Sequence, residues 1–504
     1  MKNLKEKKAS QIFEIIRKLN KDEKRAFKLY ATTYERKGNT VIALFDIIYE
    51  YTHRLPADIA PNEKDIQTQI QKEDLSAQYV SVKNRLKSML FDFLYDRNSK
   101  DDDAEILHRK LCVANLLLNK GHLETGIQML QESKRTAIDY EDYETWLSCI
   151  QVEMYTLSNN GTYTADIQQA LLVEMKEVLG KIEKLAEAIF DANAVRESQL
   201  KRKPLPDSLP TKEMLKKMID EETSVKIKNQ YYLTLASISL RLDPPEVTSE
   251  YVAASIKMLE DNIKPNVHYI MRYFVAFGPY MPVLLSLGRT EAYQEQMRKI
   301  EAKYAFYRQY LTPATDIFVL LNIYKFKLSY YRYLGSIEAA AAVVLEAEES
   351  FTSHYRMITE EGIILYTALL RNSFFYGRNY VKAEEWATKD IGQMVMPMPV
   401  VLAGYIIELL SSYELGYGMD LVRAKIKKIK YFMSSKISDV KIIDFMDKLI
   451  DMVISLINAR NTEEGKYVIK RLKEMYDATR QDPDATISLI IRTSFMQYWL
   501  ESKS

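Results

Sequence analysis

The sequence predicts an all-α protein, with an N-terminal helical module followed by an α-solenoid of degenerate helical hairpins. Apolar residues recur at helical spacing along the 504-residue chain, and no segment sustains the period-two alternation of a strand. Glycine and proline are scarce, with 15 and 14 residues. Two helical hairpins follow one another over residues 321–391, and such units stack to bury a continuous core and leave a concave surface.

Residues 1–98 are predicted to form a separate helical module. Apolar stripes at helical spacing begin at Ile12, Phe27, Leu44 and Val82. A proline-flanked loop separates the third stripe from the last. A polar, acidic run follows the last stripe and predicts the end of the module.

The start of this module is basic, since residues 1–37 hold 12 Lys or Arg and 5 Asp or Glu. Lys83, Arg85 and Lys87 stand at the start of its final helix, as they would in the recognition helix of a helix-turn-helix protein. The start of an ordinary solvated helix has the same pattern. Both interpretations therefore stay open.

Residues 104–200 are predicted to contain helical hairpins and a long coiled-coil-like helix. Gly121 makes the turn of the first hairpin. Between residues 167 and 189 the apolar side chains keep spacings of four and three, which gives a narrow seam. This seam can pack inside the protein or against a second copy, and we favour the intramolecular partner. The stretch 196–210 contains three prolines and is predicted to be an exposed connector.

Residues 211–504 are predicted to be the solenoid. The helical pattern continues to the end of this region, with turns near Gly288, Gly335, Gly377 and Gly416. Successive turns are 47, 42 and 39 residues apart. These spacings exceed a strict repeat of about 34 residues, so we expect longer helices or irregular connections.

The hairpins at 107–137, 322–350 and 365–391 resemble tetratricopeptide repeats. Small residues such as Ala340 and Ala383 stand where the paired helices of such repeats cross closely. The whole layout is similar to uncharacterised bacterial tetratricopeptide-like (TPR-like) proteins, in which a segment like NKDEKRAFKLYA precedes a degenerate repeat array. The resemblance implies a scaffold for protein interaction, without enzymatic activity.

A ligand site follows from aligning Gly335 with the hairpin turn of such a repeat, and Tyr380 and Ala383 with the matching positions of the next repeat. Six side chains then lie on the predicted inner face: Asn322, Lys325, Ser329, Arg332, Asn372 and Phe375. These groups are a pair of cations, polar groups that can bond an extended backbone, and an aromatic anchor. They would clamp a peptide carboxylate. The alternative is a set of ordinary exposed helix residues, with Phe375 buried between repeats.

The segment 423–430 is a second basic feature. Four apolar side chains at helical spacing are predicted to face inward, namely Val422, Ile426, Ile429 and Met433. The cations of the segment then face outward. They form either a strip that binds phosphate or acidic groups, or a solvated repeat face.

The sequence has none of the local motifs that indicate an enzyme. Its five histidines form no pair at i and i+4, and no nucleophile elbow or phosphate-binding loop is present. Neighbouring carboxylates such as Glu348 and Glu349 point in different directions on a helix. We therefore expect no enzymatic activity, no cofactor and no metal.

Charge and cysteine content bound the class of protein. With 70 basic and 69 acidic residues the formal charge is +1, so no global field attracts nucleic acid or membrane. Cys112 and Cys149 lie in apolar helical contexts and are predicted to be reduced thiols. The first residues lack the apolar core of a signal peptide, and the longest weakly charged run is too short to span a bilayer. We predict a cytoplasmic protein without a membrane partner.

Two functions from different classes are compatible with these patterns. The first is a non-enzymatic scaffold that holds a protein or peptide on the inner face of the repeats. The alternative is a transcriptional or other nucleic-acid-binding regulator, in which the basic module contacts DNA and the repeats sense a peptide. A purely structural subunit of a larger assembly has the same sequence features as the scaffold.

Overall fold

The computed structural model confirms the all-α fold class. It describes residues 11–19, 21–34, 40–54, 63–72, 79–98, 103–159, 164–200, 204–388, 398–460, 462–480, 487, 490 and 494–503. Within these ranges the chain forms 23 α-helices and no strand. The chain divides into two compact units, unit 1 (residues 1–316) and unit 2 (residues 317–504).

Unit 1 contains helices α1 to α14 and a short 3-10 helix. Their bounds are α1 (Gln11–Lys18), α2 (Lys21–Tyr34), α3 (Thr40–Arg54), α4 (Glu63–Lys72), α5 (Tyr79–Asn98), α6 (Asp103–Asn119), α7 (Leu123–Asp139), α8 (Tyr143–Asn159), α9 (Ala165–Leu200), α10 (Lys212–Glu221), α11 (Val225–Leu242), α12 (Pro245–Asp261), α13 (Val267–Ser286), α14 (Thr290–Tyr307) and the 3-10 helix (Arg308–Tyr310). Most of these helices pack against their neighbours in the chain. The predicted module boundaries at 98–104 and 200–211 stay a prediction.

Helices α1 to α5 share a hydrophobic core of their own. The ring centroids of Phe27 and Phe45 are 4.6 Å apart, and Phe93 meets Phe27 edge-on at 5.5 Å. Ile12 and Leu86 belong to the same buried cluster. The apolar stripes of the N-terminal segment therefore face one another, as their spacing predicts.

The long helix α9 packs inside unit 1, against α8 and α11. It is 36 residues long, and Leu171, Val178, Ala188 and Val195 form its buried line. The intramolecular partner favoured from the sequence is therefore present. The predicted start of the connector at Arg196 is wrong, because the helix continues to its last residue at position 200. No proline interrupts the backbone hydrogen bonds before position 204.

The hairpin of α6 and α7 requires a small residue at Gly126. A Cβ atom at this position would lie 2.7 Å from the Cγ atom of Leu118 and 3.1 Å from its backbone nitrogen. The turn between the two helices contains Gly121, whose φ of 85° favours glycine. Both glycines thus set how closely these two helices approach.

Unit 2 contains the remaining helices. Their bounds are α15 (Pro313–Tyr333), α16 (Ile337–His354), a 3-10 helix (Tyr355–Met357), α17 (Glu360–Tyr376), α18 (Tyr380–Thr388), α19 (Met398–Glu414), α20 (Met419–Lys436), α21 (Val440–Asn458), α22 (Glu463–Arg480) and α23 (Met496–Glu501). The first residues of α15 belong to unit 1. The turns predicted at Gly335, Gly377 and Gly416 lie between helices, as expected.

Gly335 shows why a glycine stands at such a turn. Its φ is 70°, which lies in the left-handed region. The backbone N–H of Gly335 donates to the carbonyl oxygen of Arg332 at 3.1 Å, and that of Ser336 donates to Tyr331 at 2.9 Å. These bonds satisfy the last carbonyl groups of α15 and end the helix.

Ala340 on α16 and Ala383 on α18 are fully buried in the core of unit 2. Leucine at either position is expected to lower the free energy of unfolding by about 1–3 kcal/mol, because a packed core has no room for its extra methylene and methyl groups. Urea denaturation measures the effect. The control is Ala342→Leu, since Ala342 is exposed on the same helix as Ala340. Equal stability of the buried and exposed variants would contradict the packing.

Helix α19 is buried on all sides. Every residue from Val401 to Ser412 is buried, and the helix contacts α17, α18, α20 and α21. Its sequence is the reason, because apolar residues occupy most positions around the helix rather than one stripe. Within the described residues no helix, α19 included, is both long and apolar enough to span a membrane.

Glu408 is a carboxyl group in the middle of α19. It is 2% exposed, and its Oε2 atom has no hydrogen-bond partner in the described part of the chain. Burial raises the pKa of Glu408; Lys428 and Lys425 lower it, and Glu384 raises it further, so that the pKa lies above its usual value. The folded protein therefore binds this proton more tightly than the unfolded chain does.

Stability should consequently fall as the pH rises from the unfolded pKa of Glu408, 4.5, through its raised folded pKa. We expect Glu408→Gln to remove this pH dependence of the stability, which amounts to at most about 1.4 kcal/mol per pH unit. At neutral pH the variant should be as stable as the wild type or more stable. Urea denaturation across this pH range measures it. Glu464→Gln removes an exposed carboxyl as a control. Parallel pH profiles of the Glu408→Gln variant and the wild type would contradict the prediction.

The C-terminal helix α23 is held against α19. The indole Nε1 of Trp499 donates to Oε1 of Glu414 at 2.7 Å, and the Lys503 ammonium donates to Oε2 of the same carboxylate at 2.9 Å. Trp499 and Leu500 are buried. The two charge-assisted bonds fix the position of α23 beside the end of α19.

Candidate functional site

Helix α15 carries a polar face that the sequence predicted. Lys325, Ser329 and Arg332 follow one another at i, i+4 and i+7, so they share one side of the helix. The Ser329 hydroxyl donates to the Lys325 carbonyl at 2.8 Å, and Nη2 of Arg332 donates to the Ser329 hydroxyl at 3.1 Å. Nε of Arg332 also donates to the Leu328 carbonyl at 3.1 Å. The guanidinium is therefore oriented by its own helix.

Lys325 is a cation in an unfavourable environment. Burial lowers its pKa, and the like charge of Arg332 lowers it further. Both causes disfavour the charged ammonium. A bound carboxylate beside Lys325 and Arg332 would offset both of them. Asn322, one turn earlier on α15, uses its amide to donate to the Phe318 carbonyl at 2.8 Å.

The two predicted site residues on α17 are buried. Asn372 is 8% exposed and its Oδ1 accepts a bond of 3.1 Å from Nε of Arg371. Phe375 is 3% exposed and meets the Tyr380 ring edge-on at 5.6 Å. Phe375 is therefore not an exposed anchor. The reason is that the end of α17, from residue 370 to 376, is enclosed on every side.

A cavity of about 350 Å³ opens beside Arg332. Its lining comes from α15, α17 and α23, from the turns after α15 and α17, and from the first residues of α16 and α18. It consists of Arg332, Tyr333, Gly335, Ile337, Phe375, Tyr376, Arg378, Tyr380, Tyr498, Trp499, Glu501 and Ser502. We call it the Arg332 cavity. Six of the twelve lining residues are aromatic. The volume lies at the small end of the range for ligand pockets.

Helix α23 forms one wall of the Arg332 cavity. The Tyr498 ring meets the Tyr376 ring edge-on at 5.0 Å. The guanidinium of Arg332 lies 4.8 Å from the ring centre of Phe495, a cation–π contact. The Tyr376 hydroxyl donates to the Arg332 carbonyl at 3.4 Å. These contacts hold Arg332 at the cavity by stacking and hydrogen bonding together.

Charged groups stand in the lining of the Arg332 cavity. Arg378 is exposed in the turn after α17, where its φ is 59° and its N–H donates to the Phe375 carbonyl at 3.1 Å. Glu501 provides one carboxylate. Two guanidiniums and an aromatic wall can bind a carboxylate whose neighbouring side chain is apolar or aromatic. Tyr333 and Tyr498 also line the cavity, and a tyrosine hydroxyl can form a hydrogen bond with a peptide backbone.

The structure brings together part of the predicted set. Arg332 and Phe375 line the cavity, and Lys325 and Ser329 lie on the same face of α15 as Arg332. Asn372 is buried against Arg371. Sequence reasoning missed the remaining polar and aromatic wall: Tyr333, Tyr376, Arg378, Tyr380, Tyr498, Trp499, Glu501 and Ser502. The turn glycine at position 377 is a signal that could have drawn attention to its neighbour Arg378.

The predicted nucleic-acid residues of α5 lie in unit 1. The Lys83 ammonium is 5.1 Å from the ring centre of Phe13, and the Lys87 ammonium is 5.5 Å from that of Phe91. Nη2 of Arg85 donates to the Thr40 hydroxyl at 3.1 Å. Lys83 and Arg85 are two residues apart and therefore point about 200° from each other. The three cations do not share one face of the helix.

The basic residues of α2 face a carboxylate. The ammonium groups of Lys24 and Lys28 lie 3.9 and 2.5 Å from the two oxygens of Asp46 on α3. Lys24 also lies 3.8 Å from the ring centre of Tyr49. Arg25 is exposed. Part of the positive charge of residues 1–37 is thus neutralised by a carboxylate of the same module.

The Arg332 cavity and the polar face of α15 contain the predicted site residues that the structure brings together. Among the residues that the structure describes, no group of three or more His, Cys, Asp or Glu side chains could hold a metal ion. No model of a known protein family, no curated protein and no solved structure matches this chain.

Proposed function

We propose that the protein is a non-enzymatic scaffold that binds a protein or peptide segment at the Arg332 cavity. The observation that carries the proposal is the cavity itself, with its aromatic wall and the guanidiniums of Arg332 and Arg378. Lys325 supports it, because its lowered pKa reflects a positive charge that a bound anion would stabilise. An extended peptide with a carboxylate and an apolar side chain fits these groups.

The helix arrangement supports a TPR-like α-solenoid as the architecture of this scaffold. Helices contact the next helix in the chain and, at several places, the next but one, such as α6 with α8 and α17 with α19. Repeat proteins are built from such contacts. The buried Ala340 and Ala383 occupy the small-residue positions of the resemblance. On this proposal the chain is a relative of bacterial TPR-like proteins that acts in the cytoplasm.

The test is a selection of peptide ligands on the full-length protein. A phage library with random peptides, displayed both with free C-termini and internally, is enriched on the immobilised protein. We expect the enriched peptides to share a carboxylate next to an apolar or aromatic side chain. Synthetic versions of these peptides are then titrated calorimetrically against the wild type and variants.

Charge reversal identifies the site. Arg378→Glu is the main variant, because Arg378 is exposed and its loss leaves the core intact. Arg332→Glu is the second, with its melting temperature measured because the guanidinium stacks on Phe495. Each should weaken peptide binding about ten-fold or more. Lys436→Glu, exposed at the end of α20, is the matched control. Unchanged affinity in both cavity variants would place the peptide elsewhere.

The alternative function, a nucleic-acid-binding regulator, is tested separately. Arg85 and Lys87 are exposed, so an electrostatic contact of this helix with phosphates is sterically open. A mobility shift of duplex DNA by the full chain, weakened by salt and lost in Arg85→Glu/Lys87→Glu, would favour this function. The pairing of Lys24 and Lys28 with Asp46 is the reason that we rank it second.

A further inference from the structure

A shallow groove runs along α20 and the second half of α21 in unit 2. Its volume is about 760 Å³. It is lined by Met419, Arg423, Ile426, Lys427, Lys430, Tyr431, Ser434, Ile454 and Asn458. We call it the α20–α21 groove. It contains three of the five cations of the basic segment 423–430, namely Arg423, Lys427 and Lys430. The prediction that all five face outward is wrong for Lys425, which turns inward to pair with Glu384 and to donate to the Ser412 hydroxyl. Four apolar side chains are buried as the sequence predicted: Val422, Ile426, Ile429 and Met433.

The floor of the α20–α21 groove is apolar. Ile426 is 8% exposed, and Met419 and Ile454 are half-buried against the core of unit 2. Tyr431 stands at the side of the groove and is 75% exposed. Such a floor between two helices is the feature into which a third helix packs its apolar side chains.

The edge of the groove is cationic. Helix α20 has six Lys or Arg and one carboxylate, Asp420. Three of the cations, Arg423, Lys427 and Lys430, stand at i, i+4 and i+7 and line the groove. Over its length of about 10 Å, this row repeats at the spacing of side chains on one face of a helix.

The cations of this row are weakly engaged inside the protein. Arg423 lies 3.7 Å from Asp420 and Lys430 lies 3.5 Å from Asp447, and all four side chains are largely exposed. Such surface pairs contribute little free energy and exchange readily for other partners. For Lys427, no carboxylate of the described residues lies within 4 Å. The row can therefore accept carboxylates from outside.

We propose that the α20–α21 groove binds an acidic amphipathic helix of a partner protein. The apolar face of that helix packs on Ile426, Ile454 and Tyr431. Carboxylates along its edge pair with the row of three cations. Charge complementarity and an apolar floor thus act on the two faces of the same ligand.

Two other ligands of basic surfaces fit this groove less well. A nucleic acid would use the cations through its phosphates, but it would gain nothing from the apolar floor. An anionic membrane favours apolar side chains that protrude, whereas Ile426 lies below the surface. The acidic helix is the ligand that uses both features.

This inference shares with the proposed function the premise that unit 2 binds protein segments, but it uses a different surface. The two can fail independently. Charge reversal of Arg423 leaves the Arg332 cavity intact, and charge reversal of Arg378 leaves the groove intact. Each set of variants is therefore a control for the other ligand.

The probe is a synthetic amphipathic peptide about 18 residues long, long enough to form a helix, with Leu on one face and Glu along its edge. A scrambled peptide of the same composition and a peptide with Lys in place of Glu are the comparisons. Each carries a fluorophore, and its anisotropy is titrated with the full-length protein. We expect binding of the amphipathic Glu peptide and much weaker binding of the other two.

Two variants locate the binding. Arg423→Glu/Lys427→Glu should weaken the Glu peptide about ten-fold or more, and Tyr431→Ala should also weaken it. The control Lys436→Glu/Lys470→Glu changes the net charge by the same amount outside the groove and should leave the affinity unchanged. Equal binding of the scrambled peptide, or an unchanged affinity in the groove variants, would overturn the proposal. So would binding of duplex DNA or phosphatidylserine vesicles by the protein without binding of the Glu peptide.

Discussion

Replacement of Glu141 by alanine is expected to lower the free energy of unfolding of unit 1 by about 3–5 kcal/mol. The two oxygens of this carboxylate accept bonds of 2.8 Å from the backbone N–H groups of Val225 and Lys226 and from the Tyr269 hydroxyl. Without the carboxylate, two amides at the start of α11 lose their partner. An unsatisfied buried donor costs far more than an average hydrogen bond contributes.

Glu141 also compensates two half-buried cations, Lys226 and Arg272. Burial lowers the pKa of Lys226 and of Arg272, and Glu141 opposes that shift at both residues. Its backbone has a φ of 52°, in the left-handed region, so the chain accepts strain of about 1–3 kcal/mol to place the carboxylate there. The loss of the side chain therefore leaves both the charge and the strain uncompensated.

Urea denaturation followed by circular dichroism measures this effect. Glu141→Gln keeps an oxygen acceptor and removes the charge. Its free energy of unfolding should therefore lie between those of the wild type and Glu141→Ala. The control is Glu144→Ala, which removes an exposed carboxylate in the first turn of α8. If Glu141→Ala and Glu144→Ala unfold at the same urea concentration, the role given to Glu141 is wrong.

The second large effect is expected for Lys134→Met, which should destabilise unit 1 by about 3 kcal/mol. The Lys134 ammonium on α7 donates to Glu153 on α8 at 2.9 Å and to Glu174 on α9 at 2.6 Å. The other oxygen of Glu174 accepts a bond of 2.7 Å from the Trp146 indole. Methionine keeps the volume but leaves two carboxylates facing each other, partly out of water.

The pH dependence of this contribution can be assigned a sign. Burial lowers the pKa of Lys134, but the bonds to Glu174 and Glu153 outweigh burial and hold the pKa above 10.5. The contribution is therefore complete at neutral pH and is lost only as the pH rises through the raised pKa. Thermal unfolding of the wild type and Lys134→Met should converge at strongly alkaline pH. A second variant, Lys134→Met/Glu153→Gln, should recover part of the stability that Lys134→Met loses. If the unfolding curves do not converge and the second variant recovers nothing, the role given to Lys134 between Glu153 and Glu174 is wrong.

The sequence predicts the helices of this protein well, because their signals are local. The turns at Gly335, Gly377 and Gly416 and the buried stripe of α20 follow from residues a few positions apart. The number of cations near the N-terminus predicts a binding surface less well. A count of cations does not reveal that Asp46 faces Lys24 and Lys28.

The candidate site is predictable only in part, for a physical reason. Helical spacing places Lys325 and Arg332 on one face of α15, and the structure agrees. The burial of Phe375 depends instead on Tyr380 and on helices that pack around α17. The wall formed by Tyr498 lies more than a hundred residues away along the chain, and no periodicity links it to α15.

Glu141 illustrates the same limit within unit 1. Its partners on α11 and α13 are separated from it by 84 to 128 residues. In the sequence it is one acidic residue in a turn between two helices. Only the packing of α7, α8, α11 and α13 turns it into a cap and a counterion.

The enclosure of α19 has a consequence for how unit 2 acquires its structure. In a simple repeat array each unit rests on its neighbours, and a terminal repeat can unfold or be deleted without loss of the rest. Here the most apolar helix is covered by α17 and α18, which precede it, and by α20 and α21, which follow it. During synthesis α19 emerges from the ribosome before α20 and α21 have been made, so its apolar side chains are exposed. Nascent chains should therefore require a chaperone at that stage. The finished unit should unfold in a single all-or-none step, and chains shortened after Glu414 should aggregate rather than fold as a smaller array.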